Sequence, residues 1–343
     1  MPTDHQSRSL KCNNPHKVNE LQRLRPICWL ALLVLASPWC VPAAAQSYVY
    51  VPTHKSNSVS VINTATNSVV ATVPVGIQPL SAAISPDGAF AYVTNSGWLY
   101  PNNDVSVIST ASNTVVATIP VGRFPIGVTF SPNGAAAYVV NSSNNNVSII
   151  DTVTRIVVAT VNVGMSPWGV AVTPNGAFAY VTNQSTNDVS VINTATKTVV
   201  STVAVGSNPA GLAVTPDGAF VYVANFLSNN VSVIATATNT VASTIPVGTR
   251  PIAIAITPNG ASAYVPNDGD NNVSVINVPS NVVTATVAVQ SDPRGVAITS
   301  DGAFAYVSNR ISNTVSVINT ATNTVVGTVS AVAVFPEGVA IKP

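Results

Sequence analysis

Beyond residue 45 the chain holds a single histidine, His54, no cysteine, and ten Asp and Glu residues. That inventory narrows the chemistry at once. A zinc or copper centre draws on several imidazoles or thiolates, which these residues cannot assemble, so no metal and no cofactor is expected. The stretch Asn267-Asp-Gly-Asp-Asn-Asn272 alternates acid and amide oxygens, but it lacks the Gly and Glu positions of a calcium loop and reads as a polar turn. Nucleophilic catalysis needs a base beside a Ser or Thr. His54 stands in Thr53-His54-Lys55 with no carboxylate close in sequence. No phosphate-cradling glycine loop is present. No catalytic residue is therefore assigned from the residue types alone.

Most of the acids have a structural explanation, which becomes visible once the repeat is recognised. Tetrapeptides beginning Tyr-Val start at Tyr50, Tyr92, Tyr138, Tyr180, Tyr222, Tyr264 and Tyr306, 42, 46, 42, 42, 42 and 42 residues apart. A period of about 40–45 residues with strand-like content is the signature of a propeller blade. Each unit reads as four short strands, for example 168–173, 178–183, 188–193 and 198–206, rich in Val, Ile, Thr and Tyr. Pro-Asp-Gly or Pro-Asn-Gly joins the first two, Pro presetting the turn and Gly taking the positive φ. No helical period runs through residues 46–343. Asp87, Asp217 and Asp301 occupy that turn; Asp104, Asp151 and Asp188 occupy strand ends. Four acids remain unexplained by the repeat: Asp268, Asp270, Asp292 and Glu337.

The repeat begins on a second strand, 47–51, and ends on an orphan first strand, 336–343. The expected fold is therefore all-β, a seven-bladed propeller of four-stranded blades closed when the C-terminal strand completes blade 1. Closure leaves no unpaired edge at the junction. Small residues at Gly169, Gly211 and Gly295 suit innermost strands that crowd the axis. Over residues 47–343 the chain resembles the YVTN-repeat β-propellers, a family that includes surface-layer and exported proteins. That resemblance implies the fold and an exported, surface-associated life, and it implies no activity.

Residues 1–45 read as a signal peptide with a long N-terminal region. Arg23 and Arg25 precede an apolar run from Ile27 to Ala36, and Ala43-Ala44-Ala45 follows. The run falls short of the roughly 20 apolar residues that cross a bilayer, so no transmembrane segment is expected in the mature chain, residues 46–343. The three cysteines, Cys12, Cys28 and Cys40, all lie in this leader. From Gln46 onward eight Lys and Arg face ten Asp and Glu, a net charge of −2. Such a balance provides no footprint for duplex nucleic acid.

In this strand order, the loops leading into the innermost strands share a face with those joining strands two and three. On that face the charges gather in blades 6, 7 and 1, while the apolar departures gather in blades 2–5. Trp98, Tyr100, Arg123, Phe124, Trp168, Phe226 and Arg250 are the candidate contacts for a ligand or partner. Arg294 and Glu337, each following the Pro of an innermost strand, form a candidate ion pair at the channel mouth. The extra length in blade 2, Asn95-Ser-Gly-Trp-Leu-Tyr-Pro-Asn-Asn-Asp104, carries the aromatics of a protruding loop.

The expectation drawn from these residues is an exported, non-enzymatic propeller. It would bind a protein, glycan or cell-envelope component through its patterned face, and the reading also admits self-association. Two alternatives stand beside it. One is a lactonase-like hydrolase using Glu337, Asp292 and His54. The other is a single-strand nucleic-acid binder stacking bases on the aromatics beside Arg123 and Arg250.

Overall fold

The computed structural model describes residues 47–97, 103–330 and 332–342. The leader and the candidate residues Trp98 and Tyr100 lie outside the described residues. Among the described residues twenty-eight strands form seven antiparallel four-stranded sheets; six run in sequence order from the axis to the rim, and in the seventh the C-terminal strand lies innermost, ahead of the first three strands of the chain. Blade 4 is typical, with strands Pro167–Val172, Phe178–Asn183, Asp188–Asn193 and Thr198–Ala204. Among the described residues the helical content is one 3-10 turn, Ser142–Asn144, and no helix is long and apolar enough to cross a membrane.

Burial follows position in the blade. In Phe178–Asn183 every residue after the first is buried, whereas Thr198–Ala204 is almost entirely exposed or half-buried. A second strand packs on both faces because a neighbouring blade covers each side, which is why Tyr-Val-x-Asn is apolar without alternation. The core accordingly lies between blades. Tyr180, Val189, Val191 and Val203 of blade 4 interlock with Val221, Val223 and Ile234 of blade 5. Fully burying each such aliphatic side chain stabilises by about 1.5–3 kcal/mol.

Polar staples fix the spacing between blades. The Tyr180 hydroxyl donates to Asn239 Oδ1 at 2.7 Å, and Tyr264 reaches Asn323 at 2.6 Å. Tyr306 reaches Asn67 at 2.7 Å, joining blade 7 to blade 1. Burial pushes the phenols of Tyr180 and Tyr264 up to about 12, so they stay neutral donors. The turn acids behave as the repeat requires. Asp87 Oδ1 accepts from Ser85 Oγ at 2.5 Å and from the Ala89 N–H at 2.9 Å, bonds that hold its carboxyl below the usual range.

The C-terminal segment closes the ring. Its regular strand is only Ala340–Ile341, paired with Val49 and Tyr50, shorter than the expected 336–343. The remainder is held by single contacts: a Thr53–Pro336 bridge, Glu337 N–H to Pro52 O at 2.9 Å and Lys342 N–H to Tyr48 O at 2.8 Å. Gly338 N–H reaches Leu80 O of blade 2 at 2.9 Å. Gly295 explains the small residues on the innermost strands. A Cβ there would lie 2.6 Å from the Glu337 carbonyl oxygen, so only glycine lets the closing segment pass.

Candidate functional site

The seven innermost strands converge on a cavity of about 520 Å³ at one end of the axis. Its chemistry is set by three positions per blade: the two flanking the Pro that opens each innermost strand, and the residue that follows each Tyr-Val tetrapeptide, which is His54 in blade 1, Phe226 in blade 5, Asp268 in blade 6 and Arg310 in blade 7. The residue before that Pro is left-handed in all seven blades: Gln78, Phe124, Ser166, Asn208, Arg250, Asp292 and Phe335, with φ between 53° and 60°. Only Gly adopts this conformation freely, and none of the seven is Gly. Each is held instead by an Asn of the preceding blade whose side-chain oxygen accepts its N–H. Asn229 holds Arg250 at 2.9 Å, Asn271 holds Asp292 at 3.0 Å, and Asn313 holds Phe335 at 2.9 Å. A uniform backbone thus presents a variable side chain at the same place in every blade.

On the side of blades 6, 7 and 1 these positions build a chain of charges. Arg310 Nε donates to Glu337 Oε1 at 2.7 Å, and its Nη1 lies 3.3 Å from Asp292 Oδ2. Arg294 Nε donates to Asp292 Oδ1 at 2.8 Å. Arg294 and Arg250 approach Asp268 Oδ2 at 3.7 and 3.2 Å. Neither does so with hydrogen-bond alignment, so this buried oxygen has no donor. Arg250 also lies over the Phe226 ring, 5.0 Å from its centre. The Phe335 ring sits beneath two cations, Lys55 Nζ at 4.2 Å and the Arg310 guanidinium at 4.4 Å.

Burial and charge separate the acids of this wall. Burial, reinforced by hydrogen bonding to Asp292, raises the Asp268 carboxyl. Burial also acts to raise Asp292, but hydrogen bonding to Asp268 and the Arg294 and Arg310 guanidiniums outweigh it and bring Asp292 below the usual range. Glu337 is raised by burial, with Arg294 and Arg310 opposing. His54 also lines the cavity, and burial, then Arg310 and Lys55, lower its imidazole below the ordinary value. Its Nδ1 is buried without a hydrogen-bond partner. An imidazole held neutral and a carboxyl held toward its acid form therefore face one cavity, the pairing that general acid–base chemistry uses.

The opposite wall is apolar. Leu80, Phe124, Ile126, Trp168, Leu212 and Ile252 line it, all from blades 2–6. Of the candidate contacts read from the sequence, Phe124 and Trp168 face this cavity. Phe226 and Arg250 stack on each other at its charged rim. Arg123 is exposed, its N–H bonded to Asn144 Oδ1. Arg294 and Glu337 share the cavity, but the hydrogen bond of Glu337 goes to Arg310, and Arg294 turns to Asp292. Asp270 stands apart, accepting from the Thr249 N–H at 2.7 Å. His54 and Asp292 are the residues that the sequence offers, with Glu337, for the hydrolase alternative; Arg310 and Asp268 had no role assigned from the sequence. The signal for them was their failure to fit the repeat.

A family model described as "Lactonase, 7-bladed beta-propeller" matches residues 129–245 and 236–343, well over half of the chain. No curated protein matches. Among solved structures the chain is similar to a Kuenenia stuttgartiensis hydrazine synthase, with 25% identity over 79% of this chain and 92% of that one, at a TM-score of 0.74. A functionally unknown protein from Desulfotomaculum acetoxidans is 20% identical over 86% and 98% of the two chains, TM-score 0.75. A putative 6-phosphogluconolactonase from Bacteroides uniformis is 18% identical over 87% and 100%, TM-score 0.74. The last two likenesses speak to fold. The family match, which contains Asp268, Asp292, Arg294, Arg310 and Glu337, overturns the expectation of a non-enzymatic binding or surface-structural propeller. The scarcity of acids and histidine that favoured that expectation is real, but the few present converge on one cavity. The chain belongs to the seven-bladed β-propeller lactonase family.

Proposed function

We propose that the protein is a hydrolase that opens a cyclic ester in the cavity at its channel mouth. The observation that carries this reading is the position of His54 and Glu337 on one ladder. His54 N–H donates to Phe335 O at 2.8 Å and Glu337 N–H to Pro52 O at 2.9 Å, so the two residues are fixed on paired segments of blade 1. Arg310 is hydrogen-bonded to Glu337 and lies close enough to His54 to depress its basicity.

In this mechanism neutral His54 takes a proton from water as the water oxygen bonds to the lactone carbonyl carbon. Arg294 and Arg310 supply the field for the developing oxyanion. The ring C–O bond then breaks, and Glu337 gives its proton to the departing alkoxide. The imidazolium proton returns to the Glu337 carboxylate through solvent, leaving a hydroxy acid. One water is consumed and no cofactor is needed. The leader-like residues 1–45 support an enzyme that works after export, and the seven Tyr-Val tetrapeptides support its YVTN-type repeat.

The test is proton release from simple lactones at constant pH, comparing the wild type with Glu337→Gln and His54→Gln. General acid–base groups contribute about 10²–10⁴-fold each, and losses of that order in both variants are expected. Ring opening at the buffer rate by the wild type, or at the wild-type rate by both variants, overturns the reading.

A further inference from the structure

The two walls of the cavity differ too much for a substrate that is polar all round. We infer that the substrate is an uncharged amphiphile, a lactone ring carrying an aliphatic tail. The ring lies against His54 and Glu337 and the tail along Leu80, Ile126, Trp168 and Leu212. This inference rests on the lactonase reading and specifies what that site accepts.

Two observations carry it. First, the guanidiniums at the mouth already have carboxyl partners. Arg250 faces Asp268, Arg294 faces Asp268 and Asp292, and Arg310 faces Asp292 and Glu337, three guanidiniums against three carboxyls. His54 adds no charge in its neutral form. A phosphorylated substrate would have to compete for guanidinium N–H groups that Asp292 takes from both Arg294 and Arg310 and that Glu337 takes from Arg310.

Second, the remaining wall has almost nothing to offer a polyhydroxylated ring. Sugar hydroxyls leave water only against matching donors and acceptors, since a buried polar group without a partner costs free energy. The side chains that succeed the Pro of the innermost strand are Leu80, Ile126, Trp168 and Ile252 in blades 2, 3, 4 and 6, with Leu212 two positions further along in blade 5. Backbone polar groups of these strands are partly spent on their neighbours. The Ile126 carbonyl accepts from Thr94 Oγ1 at 2.7 Å, and the Ile252 carbonyl from the Gly211 N–H at 2.9 Å. Apart from Gln78 and Ser81 in blade 2, the side chains that face the ligand are aliphatic, the Phe124 ring and the Trp168 indole, the lining that recognises an alkyl chain.

The experiment compares kcat/KM for unsubstituted γ-butyrolactone, its butyl and octyl γ-substituted homologues, and glucono-δ-lactone. Binding of the octyl lactone is measured separately by calorimetry on the same full chain. Burial of each added methylene is expected to raise kcat/KM by about three- to fourfold until the wall is covered, with glucono-δ-lactone the poorest substrate. Leu212→Asn lowers the octyl-to-unsubstituted ratio by about tenfold or more. If glucono-δ-lactone or the unsubstituted ring is turned over as well as the octyl lactone, the inference is overturned and the lactonase reading stands. If no lactone is opened but the octyl compound still binds, the lactonase reading falls and the amphiphile site stands. Neither turnover nor binding overturns both.

Discussion

The two walls of the channel mouth are built on one backbone and share almost no chemistry. In blades 2, 3 and 4 the residue after the Pro is Leu80, Ile126 or Trp168; in blades 7 and 1 it is Arg294 or Glu337. The Asn side chain that pins the residue before the Pro is the same on both sides, at 2.9 Å for Phe124 and 3.0 Å for Asp292. The repeat therefore does the positioning, and the side chains at a few ring positions, the two flanking the Pro and the one after each Tyr-Val tetrapeptide, make the walls differ. A scaffold of this kind can change its activity without changing any residue that holds it together. The contrast extends to the rim, where the outer strands stay repetitive: Thr198–Ala204 and Thr114–Pro120 show the same burial pattern.

The harshest way to break the comparison is to remove the segment that gives the charged wall its glutamate. Deleting residues 336–343 takes away Glu337, the Val49 and Tyr50 pairings and the Gly338 link to blade 2. Two blade edges are then exposed, so loss of cooperative melting and aggregation on size-exclusion chromatography are expected. A truncated protein that stays monomeric with an unchanged melting temperature would show that the ring closes without it.

Glu337→Gln acts on the wall alone. Turnover of lactones should fall by about 10²–10⁴-fold, and stability should respond to pH in a definite direction. The Glu337 carboxyl is raised in the fold, so its contribution is fully present below its unfolded value and is lost as pH rises through the folded value. Gln imitates the protonated side chain, so the melting temperature of the variant should gain on that of the wild type as pH increases. A constant difference across that range would contradict the assignment.

Arg310→Met tests whether the charged wall is a network or a set of pairs. It leaves Glu337 without its hydrogen bond to Arg310 and Asp292 with one guanidinium, Arg294, in place of two. A loss of about 2 kcal/mol at neutral pH is expected, measured by denaturant unfolding. Combining it with Glu337→Gln should recover part of that loss, because no uncompensated carboxylate then remains at position 337. Simple additivity would mean the two do not interact.

The gentlest perturbation is on the apolar wall. Trp168→Ala should raise KM for a tailed lactone by about tenfold, more than it lowers kcat. A kcat loss as large as that of Glu337→Gln would erase the division of labour between the walls.

Much of this was legible in the sequence. The spacing of Tyr50 through Tyr306 is a property of one blade repeated, so blade number, strand order and closure followed from counting. Gly295 and Gly211 were readable as crowding, and Asp87 and Asp301 as turn residues, because the reasons are local. The partners of the charges were not readable. Whether Glu337 meets Arg294 or Arg310 depends on how far each loop overhangs its neighbour across blades, and no local pattern records that offset. The left-handed residues before each Pro were missed for the same reason, since the Asn that holds each one belongs to the preceding blade. The functional class was misjudged because carboxylates were judged by their number. Their number is small, but the ring brings three acids, three guanidiniums and one imidazole to one cavity mouth.

The central claim, that His54 and Glu337 act as base and acid on one substrate, is tested most directly by the pH dependence of kcat/KM for a lactone in the wild type and the two single variants. His54 must lose its proton to act, and its value is lowered from 6.5, so the rate should climb with pH along a limb below that value. Glu337 must keep its proton, and its value is raised from 4.5, so the rate should fall along a limb above that value. The prediction is a bell in which His54→Gln removes the ascending limb and Glu337→Gln the descending one, each with a lower plateau. A wild-type profile that is flat, or limbs that persist unmoved in both variants, would contradict it.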